Sequence, residues 1–256
     1  MSRPVTLVTG ASAGLGAEFA RRYAERGDRL VLVARRKERI EELAAELGNA
    51  RAVAMDLSKP GAAAALMADC TAQGETVTRL INNAGFGLVG RFSELDGAQQ
   101  RSMIDLNCGV LTELAHAVLP AMQEAGSGEI LNVASVAAFQ PGPGMAVYFA
   151  TKAYVLSFSE ALHEEVRDHG IKVSCLCPGP TRTEFGEVAG FEASKMMQRA
   201  MDSVSKGARE VVDAGIAGLD ANKAVVVPGA VNKISANSSR FLPRGVVRRA
   251  VNLLKK

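Results

Sequence analysis

The chain has 256 residues, of which 48% are hydrophobic and 22% charged, and its formal net charge is +3. This length fits one large α/β domain, and the composition is ordinary for a globular protein. The sequence lacks a signal-peptide pattern and any run near the roughly 18 apolar residues of a membrane span, so we expect a cytoplasmic protein. Its basic residues are not interleaved with aromatic ones, which argues against nucleic acid as a partner.

Charge is unevenly distributed along the chain. Acidic residues stop at Asp220, so the segment up to that point carries −5 and the remainder +8. We define residues from about 233 to 256 as the basic C-terminal tail. Its last part, 243–256, can form a basic amphipathic helix that weakly contacts an anionic membrane surface or carries an oligomer contact. A solvated positive face is the alternative.

Cysteine and histidine spacings predict no metal site. The four cysteines form no Cys-x-x-Cys pair, and the three histidines lack ligand spacing to them. Cys175 and Cys177 alternate along a predicted strand, so both face one side and we expect them to pack in the core.

The chain opens with a predicted strand at 5–8, a loop TGASAGLG at 9–16, a helix from 17 to about 26 and a strand at 29–34. Gly10, Gly14 and Gly16 lie between strand and helix. Without a Cβ they allow a tight turn and let a phosphate approach the amino end of the helix. Turn chemistry alone is the alternative, but this placement predicts a dinucleotide site.

The end of the second strand is expected to select the cofactor. An acidic residue there would bind the adenosine ribose and repel a 2′-phosphate, whereas this chain has Ala34, Arg35 and Arg36. Two guanidinium groups suit a phosphate. We expect Arg35 to face it and Arg36 to share that role or face solvent. The alternative is that both only solvate the start of the next helix.

Further strands are predicted at 51–55, 78–81, 130–134 and 171–177, separated by helices at 58–73, within 92–119 and from the 135–152 segment to about 169. Strands and helices alternate with short connections. This pattern predicts a single-domain Rossmann-type α/β fold, a doubly wound parallel sheet with helices on both faces.

The segment from Ser135 to Lys152 contains residues suited to proton chemistry. Tyr148 and Lys152 are four residues apart and share one helix face. An adjacent ammonium group would lower the phenol pKa from about 10 toward neutrality. Ser135 follows a buried strand, at the sheet edge where open α/β sheets bind ligands. A surface tyrosine beside a helical lysine is the alternative.

The chain resembles the short-chain dehydrogenases/reductases over roughly residues 4 to 230, because it contains motifs of that family in the family's usual order. The loop at 9–16 resembles the family's TGxxxGxG, Asp56-Leu57 its adenine-contacting pair, and residues 82–85 its NNAG. Asn107, Ser135, Tyr148 and Lys152 resemble its catalytic tetrad, and Pro178, Gly179 and Thr183 its nicotinamide loop. The order of the motifs is most similar to a bacterial branch often labelled DltE-like.

The resemblance implies NADP(H) as cofactor and a role for each member of the tetrad. Tyr148 is the general acid or base, Ser135 stabilises the carbonyl oxygen, Lys152 lowers the tyrosine pKa and binds the ribose, and Asn107 supports a proton relay. An amide that satisfies neighbouring backbone groups is the alternative for Asn107. The cofactor-binding set is Gly10, Ser12, Gly14, Leu15, Gly16, Arg35, Arg36, Asp56, Leu57, Asn83, Ala84, Gly85, Tyr148, Lys152, Pro178, Gly179, Thr181 and Thr183.

Residues from 184 to about 205 correspond to the family's variable substrate lid, and they include Phe185, Phe191 and three methionines. Such an apolar cover suggests an uncharged, lipophilic ketone, aldehyde or secondary alcohol. These residues can instead cover the core or a subunit contact. The resemblance also implies a homodimer or homotetramer, formed through the helices after Phe92 and Met145. A non-catalytic NADP-binding sensor or scaffold is the alternative function.

Overall fold

The computed structural model describes residues 4–181, 183–184, 206–241, 245–246 and 248–249. Within these residues seven parallel strands form one sheet in the order β3-β2-β1-β4-β5-β6-β7. The strands are β1 Val5–Thr9, β2 Arg29–Ala34, β3 Ala50–Ala54, β4 Val77–Asn82, β5 Gly128–Val133, β6 Ile171–Leu176 and β7 Val225–Val226. The predicted fold class is confirmed.

Helices connect the strands and cover both faces of the sheet. They are α1 Gly14–Glu25, α2 Lys37–Leu47, α3 Ala62–Ala72, α4 Gly97–Ile104, α5 Leu111–Ala125, α6 Ala146–Glu165, α7 Ala208–Asp220 and α8 Ala230–Phe241. A π-helical turn, Asp105–Val110, joins α4 to α5, and short 3₁₀ helices span Val136–Phe139 and Arg167–His169.

Two apolar layers hold the sheet between the helices. Alternate strand residues face opposite sides, as Leu7 and Val8 do in β1. Leu7 packs with side chains of α3, α5 and α6, whereas Val8 packs with those of α1, α2 and α7. Because both faces are buried, the central strands carry consecutive apolar residues, as at 80–81 in β4 and 130–131 in β5.

The position of the ligand cleft follows from the strand order. β1 pairs with β2 on one side and with β4 on the other, so the chain reverses its winding direction between β1 and β4. Such a switch point leaves a crevice at the carboxyl ends of the strands. The loops that follow Thr9 and Asn82 therefore border this crevice.

Several predicted boundaries differ from the structure. β5 spans Gly128–Val133 instead of the predicted 130–134, and Ser135, which follows it as expected, caps the next 3₁₀ helix. α5 continues through Pro120 to Ala125, whereas the predicted helix ended before Pro120. Strand β7 and helices α7 and α8 were not predicted. β7 has two residues, too few for a recognisable periodicity.

Two predicted features fall largely outside the described residues. They are the lid at 184–205, of which only Glu184 is described, and most of the segment 243–256. Among the helices that the structure does describe, none is long and apolar enough to cross a membrane. Cys175 and Cys177 are buried, with their Sγ atoms 3.8 Å apart, as expected of packing residues.

Candidate active site

The loop between β1 and α1 has a backbone that only glycine fits well. Gly10 and Gly14 have φ angles of +68° and +56°, a region that other residues rarely adopt. A Cβ added to Gly16 would collide with the carbonyl oxygen of Gly10. The three glycines predicted from the sequence therefore let α1 start close against the end of β1.

Hydrogen bonds join this glycine loop to the loop after β4. Thr9 Oγ1 accepts bonds of 3.0 Å from the N–H groups of Asn83 and Ala84, and Asn83 Nδ2 donates to the Thr9 carbonyl at 2.9 Å. A Cβ on Gly10 would lie 2.9 Å from the Cα of Ala84. The two loops thus form one wall of the crevice at the switch point.

The amino end of α1 fits a phosphate group. Its cap residue, Ala13, provides no side-chain hydrogen bond, and the first turn of the helix contains no acidic residue. The first N–H groups of a helix lack partners within the helix, and the helix dipole favours an anion at this end. Together with the glycine cradle, this arrangement suits the pyrophosphate of a dinucleotide.

Arg36 connects the end of β2 to the glycine loop. Its Nε donates to Ser12 Oγ at 3.1 Å, and its Nη1 donates to Glu184 at 2.8 Å. Arg39, on α2, donates to the other oxygen of Glu184 at 2.6 Å. Arg36 thus faces the crevice through its bond to Ser12.

The neighbouring Arg35 lies near the loop after β3. It is exposed, and its charge helps to lower the pKa of Asp56, although hydrogen bonds from Ser58 contribute more. Ser58 donates to the Asp56 carboxylate from its N–H and its hydroxyl. The adjacent Leu57 is buried in the core.

Helix α6 carries Tyr148 and Lys152 on one buried face. Lys152 Nζ donates a hydrogen bond of 2.8 Å to the Val133 carbonyl at the end of β5. It lies 5.8 Å from the centroid of the Tyr148 ring. The predicted helical spacing therefore does bring the two side chains together.

Burial, however, sets the pKa of both groups. It raises the pKa of Tyr148 to about 12, and a hydrogen bond with Ser135 acts in the opposite direction. It lowers the pKa of Lys152 to about 8. The prediction that Lys152 brings the phenol pKa toward neutrality is thus wrong for this structure, because desolvation of the phenol dominates.

Ser135 lies where the loops after β5 and β6 meet. Its Oγ accepts a bond of 3.1 Å from the Ala137 N–H and lies 3.4 Å from the Pro178 carbonyl, to which it donates. The Val136 N–H donates to the same carbonyl at 2.9 Å. The serine hydroxyl is therefore held beside the phenol by backbone on two sides.

Asn107 lies in the π-helical turn and is almost fully buried. Its Oδ1 accepts from the Phe86 N–H at 3.1 Å, and its Nδ2 donates to the Phe86 carbonyl and to Thr151 Oγ1, both at 3.0 Å. Thr151 Oγ1 donates in turn to the Tyr148 carbonyl at 2.7 Å. The amide therefore satisfies backbone groups and also links the loop after β4 to the helix of Tyr148.

Gly85 and the loop after β6 close the site. A Cβ on Gly85 would lie 2.9 Å from Asn107 Oδ1 and 3.6 Å from Lys152 Nζ. Thr181 Oγ1 donates to the Gly179 carbonyl at 3.0 Å. Thr183 lies against the glycine loop, since a Cβ added to Gly14 would be 3.2 Å from the Cβ of Thr183.

One side of Tyr148 faces an apolar wall. This wall is a cluster in which Tyr148 packs with side chains from α4, α6 and the loops after β4 and β5. Its members besides Tyr148 are Phe86, Leu88, Val89, Met103, Ala137, Met145, Val147 and Phe149. A carbonyl compound bound beside the phenol would contact hydrocarbon and aromatic groups.

Sequence reasoning missed four residues of this region: Thr151, Arg39, Glu184 and Asn232. Asn232 is buried, and a Cβ on Gly179 would collide with its amide. Arg39 and Thr151 each follow a predicted site residue by three positions, which is one helical turn, so that spacing could have indicated them. Glu184 was predicted only as the first residue of the lid. Its contacts with Arg36 and Arg39, and that of Asn232 with Gly179, join distant parts of the chain and leave no local signal.

A model of the short chain dehydrogenase family matches residues 4–208 of this chain. The chain belongs to the short-chain dehydrogenase/reductase family of oxidoreductases. Two named relatives support the same family, and their names do not confirm the predicted DltE-like branch. Sulfoacetaldehyde reductase 2 of Chromohalobacter salexigens is 37% identical over 71% of this chain and 74% of its own. The NADP-dependent 3-hydroxy acid dehydrogenase YdfG of Salmonella typhimurium is 38% identical over 72% of this chain and 75% of its own.

Solved structures of this family match nearly the whole fold. A short-chain dehydrogenase from Sphingobium yanoikuyae in complex with NADPH has a TM-score of 0.80 at 36% identity, covering 93% of this chain and 94% of its own. The bulky-bulky ketone specific alcohol dehydrogenase from Comamonas testosteroni has a TM-score of 0.78 at 32% identity, covering 94% and 93%. Both likenesses extend beyond the residues matched by the family model.

Proposed function

We propose that this protein transfers a hydride between NADP(H) and an uncharged, lipophilic ketone or aldehyde, or the corresponding alcohol. The observation that carries the proposal is the buried phenol of Tyr148, held between Ser135 and Lys152 at the edge of a dinucleotide-type crevice. Acid and base groups with perturbed pKa in such a crevice are typical of catalytic sites.

The cofactor assignment has support from the site and from relatives. Arg36 is bonded to Ser12 of the glycine loop, and Arg39 lies close enough to share a carboxylate with it. Guanidinium groups are well suited to a 2′-phosphate. The Sphingobium yanoikuyae structure holds NADPH, and the Salmonella relative is named as NADP-dependent.

The protein groups would handle the proton and the developing charge. When bound, the nicotinamide supplies or accepts the hydride. Because burial raises the pKa of Tyr148 to about 12, the phenol keeps its proton at neutral pH and can give it to a carbonyl oxygen as general acid. The Ser135 hydroxyl can donate a hydrogen bond to the same oxygen and stabilise its charge. Lys152 would bind the nicotinamide ribose, and Asn107 would support the proton relay.

The apolar wall supports an uncharged substrate. All of its members besides Tyr148 have hydrocarbon, aromatic or thioether side chains. A carboxylate or sulfonate buried there would lose its hydration without gaining a partner among these groups. The Comamonas relative is named for bulky ketones, whereas the Chromohalobacter and Salmonella relatives are named for anionic substrates. We place this chain with the former.

A matched pair of substrates tests the proposal. NADPH consumption is followed with a bulky 3-oxo ester and with the corresponding 3-oxo acid, which differ in the charge next to the reacting ketone. We expect the ester to have the higher kcat/KM by at least about tenfold, because an unpaired carboxylate is costly to bury. A preference for the acid would overturn the substrate class. No turnover across a broad panel would overturn the enzymatic proposal itself.

A further inference from the structure

Glu184 bridges the guanidinium groups of Arg36 and Arg39, which lie just after the end of β2. One carboxylate oxygen accepts from Arg36 Nη1 at 2.8 Å, and the other accepts from Arg39 Nη1 at 2.6 Å. Arg36 is held at the same time by its Nε bond to Ser12, at 3.1 Å. A carboxylate bridging two arginines uses the same charge-assisted bonds that a phosphate would use.

The neighbouring residue places Glu184 at the cofactor crevice. Thr183 lies against Gly14 of the glycine loop, where the dinucleotide phosphates are expected. The chain therefore runs from the glycine loop, at Thr183, to the end of β2, where Glu184 contacts the two arginines. In dinucleotide-binding folds of this type, the adenosine ribose lies at the end of β2, so its 2′ substituent would meet these arginines.

We propose that Glu184 is a specificity-determining residue that competes with the 2′-phosphate of NADP(H) for Arg36 and Arg39. This inference rests on the proposed function. NADP(H) must displace the carboxylate to reach both guanidinium groups, whereas NAD(H), which carries a hydroxyl at that position, can bind with the ion pairs intact. Glu184 thus lowers the preference for NADP(H) that the two arginines would otherwise give.

The charge state of Glu184 is consistent with this role. Hydrogen bonds from Arg36 and then Arg39 lower its pKa, so it remains a carboxylate at neutral pH. All three side chains are between 41% and 49% exposed. Exposed ion pairs are weak, so a phosphate with a larger charge can replace the carboxylate.

The test is a set of calorimetric titrations with NADPH, NADH and adenosine 2′,5′-bisphosphate, which has the 2′-phosphate but no nicotinamide. We compare wild type with Glu184→Gln. The control is Glu46→Gln, which removes another exposed carboxylate paired with an arginine, Arg21. Glu184→Gln is expected to tighten NADPH and the bisphosphate by about two- to fivefold, a modest gain because exposed pairs are weak. NADH affinity and the control variant should be unchanged.

Equal changes for NADPH and NADH, or no change for either, would overturn the inference. Weaker NADPH binding by Glu184→Gln would also overturn it, since Glu184 would then orient the arginines for the phosphate. Glu184→Ala serves as a second variant and is expected to act in the same direction. Failure of the proposed function gives a different result: a wrong cofactor assignment would leave wild type binding neither NADPH nor NADH, and a protein without catalysis would bind NADPH but turn over no substrate.

Discussion

Lys152 and Tyr148 lie side by side, with Lys152 Nζ 5.8 Å from the centroid of the phenol ring. The ammonium does not produce a phenolate in this structure, because burial raises the pKa of Tyr148 to about 12 and lowers that of Lys152 to about 8. A protonated phenol is a proton donor at neutral pH. Under the proposed function the phenol would act as the proton donor in carbonyl reduction, and Lys152, with a pKa of about 8, would be the group of the pair that titrates nearest neutral pH.

The first prediction concerns the pH dependence of reduction. The pKa of Lys152 is lowered from 10.5 to about 8, so its positive charge is present below pH 8 and is lost as the pH rises through that value. We expect kcat/KM, which reports groups of the free enzyme, to fall above pH 8. Lys152→Met should remove this inflection along with most of the activity, whereas Lys172→Met, at a half-exposed lysine, should keep it. An inflection near 10.5 would contradict the account.

The second prediction concerns the link between Asn107 and the catalytic helix. Thr151→Val removes the hydroxyl that accepts from Asn107 and donates to the Tyr148 carbonyl. We expect a lower kcat with nearly unchanged NADPH affinity, and a loss of roughly 1 to 2 kcal/mol in the free energy of unfolding because a buried partner is removed. Steady-state kinetics, calorimetry and urea unfolding measure these changes.

The control for this variant is Thr112→Val. Thr112 lies on α5 and its hydroxyl bonds to the Cys108 carbonyl and to Tyr154. It should leave kcat unchanged. If Thr151→Val lowered stability alone, with kcat as in the wild type, Thr151 would be a structural residue without a positioning role.

The third prediction concerns the glycine cradle. Gly16→Ala places a methyl group against the Gly10 carbonyl, which would push the loop and the amino end of α1 apart. We expect NADPH affinity to fall by more than about tenfold, since the phosphate needs close approach to the backbone. Gly97→Ala adds the same methyl group where nothing lies within 4 Å, and it should bind NADPH like wild type. Equal affinities for both variants would contradict the cradle.

The fourth prediction separates the two adjacent arginines. Arg36 is bonded to Ser12 in the glycine loop, whereas Arg35 lies nearer Asp56. We expect Arg36→Ala to weaken NADPH binding by about tenfold or more with little effect on NADH, because a charge-assisted phosphate contact is lost. Arg35→Ala should have the smaller effect on NADPH. A larger loss of NADPH affinity in Arg35→Ala than in Arg36→Ala would instead assign the phosphate contact to Arg35, as the sequence alone predicts.

Features that depend on local backbone chemistry were predictable from the sequence. The glycines at 10, 14 and 16 follow a buried strand, and the positive φ angles of Gly10 and Gly14 are a property of the turn itself. The four-residue spacing of Tyr148 and Lys152 likewise determined their common face. The parallel sheet followed from the alternation of strands and helices.

Features that depend on distant parts of the chain were not predictable. The pKa of Tyr148 is set by the side chains that bury it, and no local pattern shows how much water they exclude. Glu184 meets Arg36 across 148 positions of sequence. The two-residue strand β7 depends on pairing with β6 and carries no periodicity of its own.

The most direct test of the central claim is to compare Tyr148→Phe with Tyr154→Phe in NADPH-dependent reduction. Both variants remove one hydroxyl from α6, and Tyr154 is an exposed residue whose hydroxyl contacts Thr112. We predict that Tyr148→Phe binds NADPH normally but loses about 10²- to 10⁴-fold in kcat, the usual contribution of a general acid, and that Tyr154→Phe retains full activity. Equal activity of Tyr148→Phe and wild type would contradict the account.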